Sequence, residues 1–450
     1  MTDLALTVSE IIDQRPLSRF QISTIALCSL VLVLDGFDTQ CIGFLAPSIA
    51  DTLRIPLRAF GPVFAAGLFG LMIAAMTAGP IADRWGRKWP VVLSTLTFAT
   101  FALLTARATS FDQLVIFRFL TGLGLGGAMP NVVAVTSEYA PKRLLPVFVS
   151  MIFCGMPLGA LLGGLVSSVM VPRWGWQSVF YVGGILPLAV ALILIKVLPE
   201  SARFLTIRGT DPQKIARIMA RISPELAEVR LDYSSSQKDR RKGMPVKHLF
   251  TEGRAMGTIL LWVPYFMNLL ILYFIVSWLP ALLREAGMPV SAGITAVSLF
   301  SLGGILASLA QGRLMNRWGA MTVLVAEFAL CTLFIGSLAF VVSFPLKMTV
   351  TFLLGYCVQG AQAGLNALAA SFYPTPIRST GVGWALGVGR LGSIVGPVLG
   401  GVMLSMDWRP RQIFLTGAVP ALCAAAAILV SNRLRGNSAA YRLEPDPEPM

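Results

Sequence analysis

Charge is scarce in this 450-residue chain. Asp, Glu, Lys and Arg together make up 13% of it, about half the ~25% usual for soluble domains. With 55% of the residues apolar, that scarcity excludes an ordinary soluble globular protein. Histidine is nearly absent. The single His248 lies in a polar loop, which excludes a His-based triad or a His/Cys metal cluster. The six cysteines, Cys28, Cys41, Cys154, Cys331, Cys357 and Cys423, stand in apolar stretches with no Cys-x-x-Cys, and read as buried small hydrophobes. No metal site and no cofactor is expected. A cleavable signal peptide is not expected either, because Asp3, Glu10 and Asp13 precede a first apolar run too long for a signal core. Acid is the scarcer charge, with 36 Lys and Arg against 22 Asp and Glu, for a net +14. In a soluble chain that balance would suggest nucleic acid. Here no large solvated basic face can form, so no nucleic-acid partner is expected.

What the chain has in quantity is long apolar sequence. A hydrocarbon core of ~30 Å needs roughly 20 apolar residues per helix. Twelve such stretches are read, about 20–46, 57–82, 89–107, 111–140, 146–170, 177–198, 255–283, 290–312, 320–343, 347–372, 379–404 and 412–433. The longest polar stretch, 199–254, separates the first six from the last six and holds a candidate amphipathic helix around 214–230. If the N-terminus is cytoplasmic, most of the 36 Lys and Arg fall on the cytoplasmic side, as the positive-inside bias requires. Residues 79–86, GPIADRWG, follow span two, and residues 312–319, GRLMNRWG, follow span eight. Two halves of one design imply the parallel-repeat plan of a secondary transporter. The expectation is an all-α integral membrane protein: twelve transmembrane helices in two pseudo-symmetric six-helix bundles with both termini cytoplasmic. Its parts are a bundle over 1–198, a cytoplasmic linker over 199–254, and a second bundle with a short tail over 255–450.

At these residues the chain resembles the major facilitator superfamily, and within it the aromatic acid:proton symporter family. Residues 79–88, GPIADRWGRK, resemble the superfamily's loop 2–3 signature. The narrower likeness is carried by 34–50 (LDGFDTQCIGFLAPSIA), 118–141 (RFLTGLGLGGAMPNVVAVTSEYAP), 198–205 (LPESARFL) and 372–397 (FYPTPIRSTGVGWALGVGRLGSIVGP). It runs from about Leu17 to Val430 and is most like carriers of 4-hydroxybenzoate and protocatechuate. One departure is Asn316, where the second loop signature usually carries Asp.

Ionisable groups within a bilayer cost roughly 2.5–3.5 kcal/mol on insertion scales, so each asks for a partner or a function. Asp35, Asp38 and Glu327 lie within spans, as do Arg118, Lys196 and Arg390. Asp35 and Asp38 are spaced i,i+3 on one helix face, and a rise of ~1.5 Å per residue puts Arg118 at comparable depth and Arg390 near the midplane. The functional reading makes Asp35 and Asp38 proton-coupling groups, since protonation removes the cost of a desolvated carboxylate beside a like charge. Arg118 and Arg390 then hold a substrate carboxylate, for which a guanidinium offers bidentate geometry. A structural ion pair that locks helices is the other reading of the Asp pair. Around Arg390, Gly387, Gly389 and Gly392 clear space for a ligand. The resemblance implies the same roles, since the DGFD aspartates and the arginines of spans four and eleven match position by position.

Glu138 relays protons, forms a cytoplasmic gate with Arg143, or is a plain interfacial charge. Glu327 reads as a snorkelling or locally paired carboxylate, and Lys196 as a snorkelling anchor. Asp83, Arg84 and Arg87 fit a cytoplasmic gate by family likeness. Gly122, Gly124, Gly126 and Gly127 form a helix-packing face rather than a nucleotide loop. Gln359, Gln362 and Asn366 share a face of span ten and read a ring hydroxyl, or make amide hydrogen bonds to other helices. Of the span-seven aromatics, Tyr265 is the chosen candidate for the substrate ring.

The leading function is proton-coupled uptake of a small aromatic carboxylate by alternating access, driven by the proton gradient across the cytoplasmic (inner) membrane. Its partners are the acid, protons and lipid, with no obligate protein partner. The alternative is an exporting antiporter of drugs or metabolites. Its span-five mark, GxxxGPxxGG, is incomplete here, where 155–164 read GMPLGALLGG. No enzyme constellation is present in the sequence.

Overall fold

The computed structural model describes residues 12–13, 16–141, 143–201, 204–205, 212–222, 246–251, 253–374 and 377–437. Among them the regular structure is helical. The first membrane helices are α1 (Arg19–Leu53), α2 (Phe60–Trp85), α3 (Lys88–Thr105), α4 (Phe111–Tyr139), α5 (Leu145–Trp174) and α6 (Gln177–Val197). A short α7 (Pro212–Ile222) follows. Then come α8 (Ala255–Glu285), α9 (Val290–Trp318), α10 (Ala320–Leu338), α11 (Phe344–Phe372), α12 (Arg378–Ser405), α13 (Pro410–Gly417) and α14 (Val419–Asn437).

Eleven helices are long and apolar enough to cross a membrane. The twelfth expected span, α11, is 29 residues long, but Gln359, Gln362 and Asn366 dilute its apolar character. The last span is one apolar stretch broken into α13 and α14 at Ala418. Pro420 explains the break, because it has no N–H to offer the carbonyl of Thr416. Helix starts follow local chemistry. Ser18 caps α1 by accepting from the backbone N–H of Gln21, whose side chain accepts from the N–H of Ser18 in return. Ser110 caps α4 by accepting from the backbone N–H of Gln113, whose side chain accepts from the N–H of Thr109. Of the expected amphipathic linker helix, Pro212–Ile222 forms, with Ile215 and Ile222 buried. Residues 223–230 and most of the 199–254 linker lie outside the described residues.

The chain divides into two compact units, residues 1–55 with 66–241, and residues 56–65 with 242–450. In the first unit α1 lies along α5, and α4 along α3. Glycine sets these distances. Gly36 of α1 abuts the backbone of Met156, and Gly159 of α5 abuts that of Val33. On α4 the glycines divide two ways: Gly122 and Gly126 press on the carbonyls of Gly67 and Leu71 in α2, while Gly124 and Gly127 meet Phe98 and Ser94 in α3. The second unit repeats the pairing. Its α8 lies along α12 through Gly392 and Gly396, and α9 along α11 through Gly303 and Gly355. With little hydrophobic gain available between helices in lipid, such close backbone approach is what dispersion contacts require. Large apolar side chains meanwhile point outward, among them Ile116, Leu165, Leu192, Leu309, Leu333 and Leu422. Cysteine follows the expected burial at Cys28, Cys41, Cys331 and Cys357, whereas Cys154 is half-buried and Cys423 faces outward on α14.

Gly122→Val should lower the thermal stability of detergent-solubilised protein by about 1–3 kcal/mol, because a side chain there collides with the α2 backbone. Gly383→Ala, in open space, should leave it unchanged or slightly raised. Equal melting temperatures for the two variants would refute close approach as what seats α4 on α2.

Candidate functional site

In the first unit α1 and α4 bring two opposite charges together out of water. Arg118 Nη1 donates to Asp38 Oδ2 at 2.9 Å, with the side chains 3% and 0% exposed. Arg118 Nη2 reaches the backbone oxygen of Asp38 at 3.4 Å, and Cys41 Sγ donates to the same oxygen at 3.2 Å. The guanidinium also lies 5.9 Å from the centre of the Phe180 ring. Asp38 Oδ1 is buried with no hydrogen-bond donor. Asp35, one turn earlier and also buried, accepts from Thr39 Oγ1 at 2.9 Å. Depth counted along the helices thus put Arg118 and Asp38 at the right level. The arginine is engaged with the protein's own carboxylate.

A second constellation in this unit gathers where α2 turns into α3. Arg87 Nε lies 3.8 Å from Glu138 Oε1, and both side chains are partly buried. Arg84 is exposed, and the side chain of Asp83 lies outside the described residues. Sequence reasoning gave no role to Glu200, yet it organises this turn. Its Oε1 accepts from the backbone N–H groups of Arg87 at 2.6 Å, Lys88 at 3.2 Å and Ser201 at 2.9 Å. Arg87 supplies no side-chain cap to α3, so the carboxylate of Glu200 caps it instead, near the positive end of the helix dipole. Gly86 permits the approach, with φ +89° and no side chain to strike that carboxylate. Tyr139 Oη donates to the Glu200 carbonyl at 2.7 Å, and Gln21 Nε2 to the Tyr139 carbonyl at 2.8 Å, which joins the ends of α1 and α4 to the turn. The signal for Glu200 was its place in the 198–205 run. In the other loop signature, Asn316 is exposed.

In the second unit α8 and α11 share a polar cluster. Tyr265 Oη donates to Asn366 Oδ1 at 3.0 Å, Gln362 Nε2 lies 3.3 Å from the same oxygen, and Asn268 Nδ2 donates to Gln362 Oε1 at 3.0 Å. Gln362, Asn366 and Tyr265 therefore do come together. Gln359 does not join them: its amide donates to the Phe300 carbonyl of α9 at 3.3 Å. Asn268 was missed, although an Asn inside an apolar span was a visible signal. Arg390 Nη1 donates to Tyr273 Oη at 3.2 Å. Of the glycines beside Arg390, only Gly387 is open. Gly389 receives the Leu269 side chain and the Tyr265 carbonyl of α8, and Gly392 the Phe266 carbonyl, so they serve packing rather than ligand space. Glu327 does not snorkel; it is buried on α10 beside Gln311. Lys196 is exposed in the last turn of α6.

Comparison with known proteins gives the family of the chain. The family described as Major Facilitator Superfamily matches residues 28–360 and 265–448. The 4-hydroxybenzoate transporter PcaK of Pseudomonas putida is 39% identical over 428 residues, covering 95% of this chain and 96% of that protein. A gallate transporter of Pseudomonas putida is 38% identical over 436 residues, 96% of each chain. The 3-(3-hydroxy-phenyl)propionate transporter of Escherichia coli K12 is 35% identical over 414 residues, 92% of this chain and 94% of the relative. Among solved structures, that of the proton:xylose symporter XylE bound to 6-bromo-6-deoxy-D-glucose shares the fold. Its TM-score is 0.66 at 16% identity, covering 91% of this chain and 95% of the other.

Arg118→Leu should destabilise the protein by about 3–5 kcal/mol, because it leaves the Asp38 carboxylate buried without a cation. Adding Asp38→Asn should restore most of that loss. Thermal unfolding in detergent measures both, and a double variant no more stable than Arg118→Leu would show that the two do not act as a pair.

Proposed function

Because the chain belongs to the major facilitator superfamily, we propose that it imports a small aromatic carboxylate, such as 4-hydroxybenzoate or protocatechuate, together with protons. It is a multi-pass membrane transporter and not an enzyme. The observation that carries the proposal is the buried Arg118–Asp38 pair. Arginine stays charged at any physiological pH. While Asp38 is ionised it occupies that cation. A proton on Asp38 cancels the attraction and leaves a buried guanidinium that favours another carboxylate. Proton and substrate anion therefore arrive together for an electrostatic reason. Asp35, one turn away on the same helix, is the second proton-coupling candidate.

In the second unit, Tyr265, Gln362 and Asn366 offer donors and acceptors suited to a ring hydroxyl. Arg390 offers a further cation for an anionic substrate, with Tyr273 holding its guanidinium. The names of the relatives, carriers of 4-hydroxybenzoate, gallate and hydroxyphenylpropionate, support an aromatic acid of this kind. Coupling has an energetic motive. An inside-negative potential opposes anion entry by ~2.3 kcal/mol per 100 mV, and one co-transported proton removes that penalty. The proposed setting is the cytoplasmic membrane, with the α2–α3 turn facing the cytoplasm and alternating access as the cycle. Arg87 with Glu138 would close that side, and the Glu200 cap would hold the turn in register.

Accumulation of radiolabelled 4-hydroxybenzoate in energised membrane vesicles should collapse when a protonophore is added. Uptake that survives the protonophore would refute proton coupling. Asp38→Asn should abolish accumulation while the protein stays in the membrane at wild-type amount, measured on the same vesicles by immunoblot.

A further inference from the structure

The second unit buries a carboxyl that the mechanism above does not use. Glu327 on α10 is 5% exposed, and its neighbour Gln311 on α9 is 3% exposed. Gln311 Nε2 donates to Glu327 Oε2 at 3.2 Å. The remaining oxygens, Glu327 Oε1 and Gln311 Oε1, are both buried with no hydrogen-bond donor. Both lie over Gly360 of α11, where a β-carbon would stand 2.6 Å from Glu327 Oε1 and 3.2 Å from Gln311 Oε1. Each orphaned acceptor carries the desolvation cost of a lost hydrogen bond, larger where it carries charge.

A single hydrogen on Glu327 Oε1 resolves both deficits. The acid O–H then donates to the Gln311 carbonyl while the amide N–H donates to Glu327 Oε2, closing a two-bond ring. The surroundings offer no cation to do this instead. Among the described residues no Lys or Arg forms an ion pair with Glu327. The titratable neighbours are Cys331 on its own helix and Tyr356 and Cys357 on α11. Arg313 and Arg317 of α9, and Arg409, Arg411, Cys423 and Arg433 of α13 and α14, are exposed. Lys347 of α11 is thirteen residues before Gly360, roughly 20 Å along the helix.

We infer that Glu327 and Gln311 form a second proton-binding site of this transporter, which holds one proton as a closed acid–amide pair against α11 and releases it during transport. Loading converts the Glu327 carboxylate and a proton from water into the carboxylic acid, and unloading reverses that step with no other bond changed. The site bears on the polar cluster because Gly360 lies on the same helix as Gln362 and Asn366, two and six residues before them. This coupling role rests on the symport reading above. With a proton at each site, a monoanion would enter with net positive charge, and an inside-negative potential would pull it in.

Two measurements test the site. In infrared spectra of the purified full-length protein at neutral pH, the carbonyl band of a protonated carboxyl should be present in wild type. It should lose intensity in Glu327→Gln, whose amide can occupy the same two-bond ring, and should shift in Gln311→Leu. A band unchanged in Glu327→Gln, or unmoved by Gln311→Leu, overturns the acid–amide pair whatever the protein transports. In proteoliposomes, a potassium diffusion potential, inside negative, should raise wild-type uptake of radiolabelled 4-hydroxybenzoate severalfold, and that increment should vanish in Glu327→Gln. An increment as large as wild type's, or none in wild type, overturns the transported proton. Failure of the symport reading is distinct: wild-type uptake would ignore the protonophore, and the infrared result would still decide the site.

Discussion

A guanidinium and a carboxylate 2.9 Å apart, both shut away from water, set the terms for the first unit. Neither charge is tolerable alone at that depth, so α1 and α4 have to be held where the two side chains meet. Direct apolar burial cannot do this in lipid, since hydrocarbon surrounds the helices on the outside as well. Backbone approach does it. Gly36 and Gly159 let α1 and α5 touch, while Gly122 and Gly126 seat α4 on α2 and Gly124 and Gly127 seat it on α3. The high glycine content of the chain is therefore a matter of helix separation more than of flexibility. Because the pair is neutral only while Asp38 is ionised, a proton and a second anion can together replace what Asp38 supplies. A rigid frame around an exchangeable charge is what a coupled carrier needs.

The parts of this arrangement that depend on one helix at a time were legible in the sequence. Apolar runs gave the spans, the half-chain echo gave the repeated pairing, and rise per residue put Arg118 level with Asp38. Spacing likewise brought Gln362 and Asn366 to one face. What depends on a partner far along the chain was not legible. Periodicity places Gln359 with its two neighbours, but the carbonyl it meets belongs to Phe300 on another helix. The glycines beside Arg390 look like room for a ligand until α8 is seen to fill two of them. Glu200 stood in a quoted motif, but its use as a cap for a helix beginning 112 residues earlier could not be read from residue type.

The turn between α2 and α3 combines a firm element with a loose one. Glu200 binds backbone N–H groups that are fixed in place, in short charge-assisted hydrogen bonds at the positive end of α3. The Arg87–Glu138 contact joins two partly exposed side chains at 3.8 Å, a geometry worth little in free energy. Weakness suits a gate. On the proposed cycle, a latch that opens each time cannot be worth several kcal/mol, whereas the turn that carries it has to keep its shape throughout. The Tyr139 and Gln21 bonds extend the firm part to α4 and α1, so movement at the latch need not disturb the helices that carry Arg118 and Asp38.

The two units thus keep a buried carboxyl by opposite means. Asp38 faces a cation, Arg118. Glu327 faces an amide, Gln311, in place of a cation. A proton bound at Asp38 exposes a positive charge, and a proton bound at Glu327 erases a negative one. On the proposed cycle either event would shift the local balance toward accepting an anion, so proton loading at both would favour the same cargo. Loss of the two protons would favour its release: Asp38 would recover Arg118, and an ionised Glu327 would place negative charge beside the helix that carries the polar cluster. Two carboxyls that differ in their partner, a cation at one and an amide at the other, can on this proposal serve one direction of coupling.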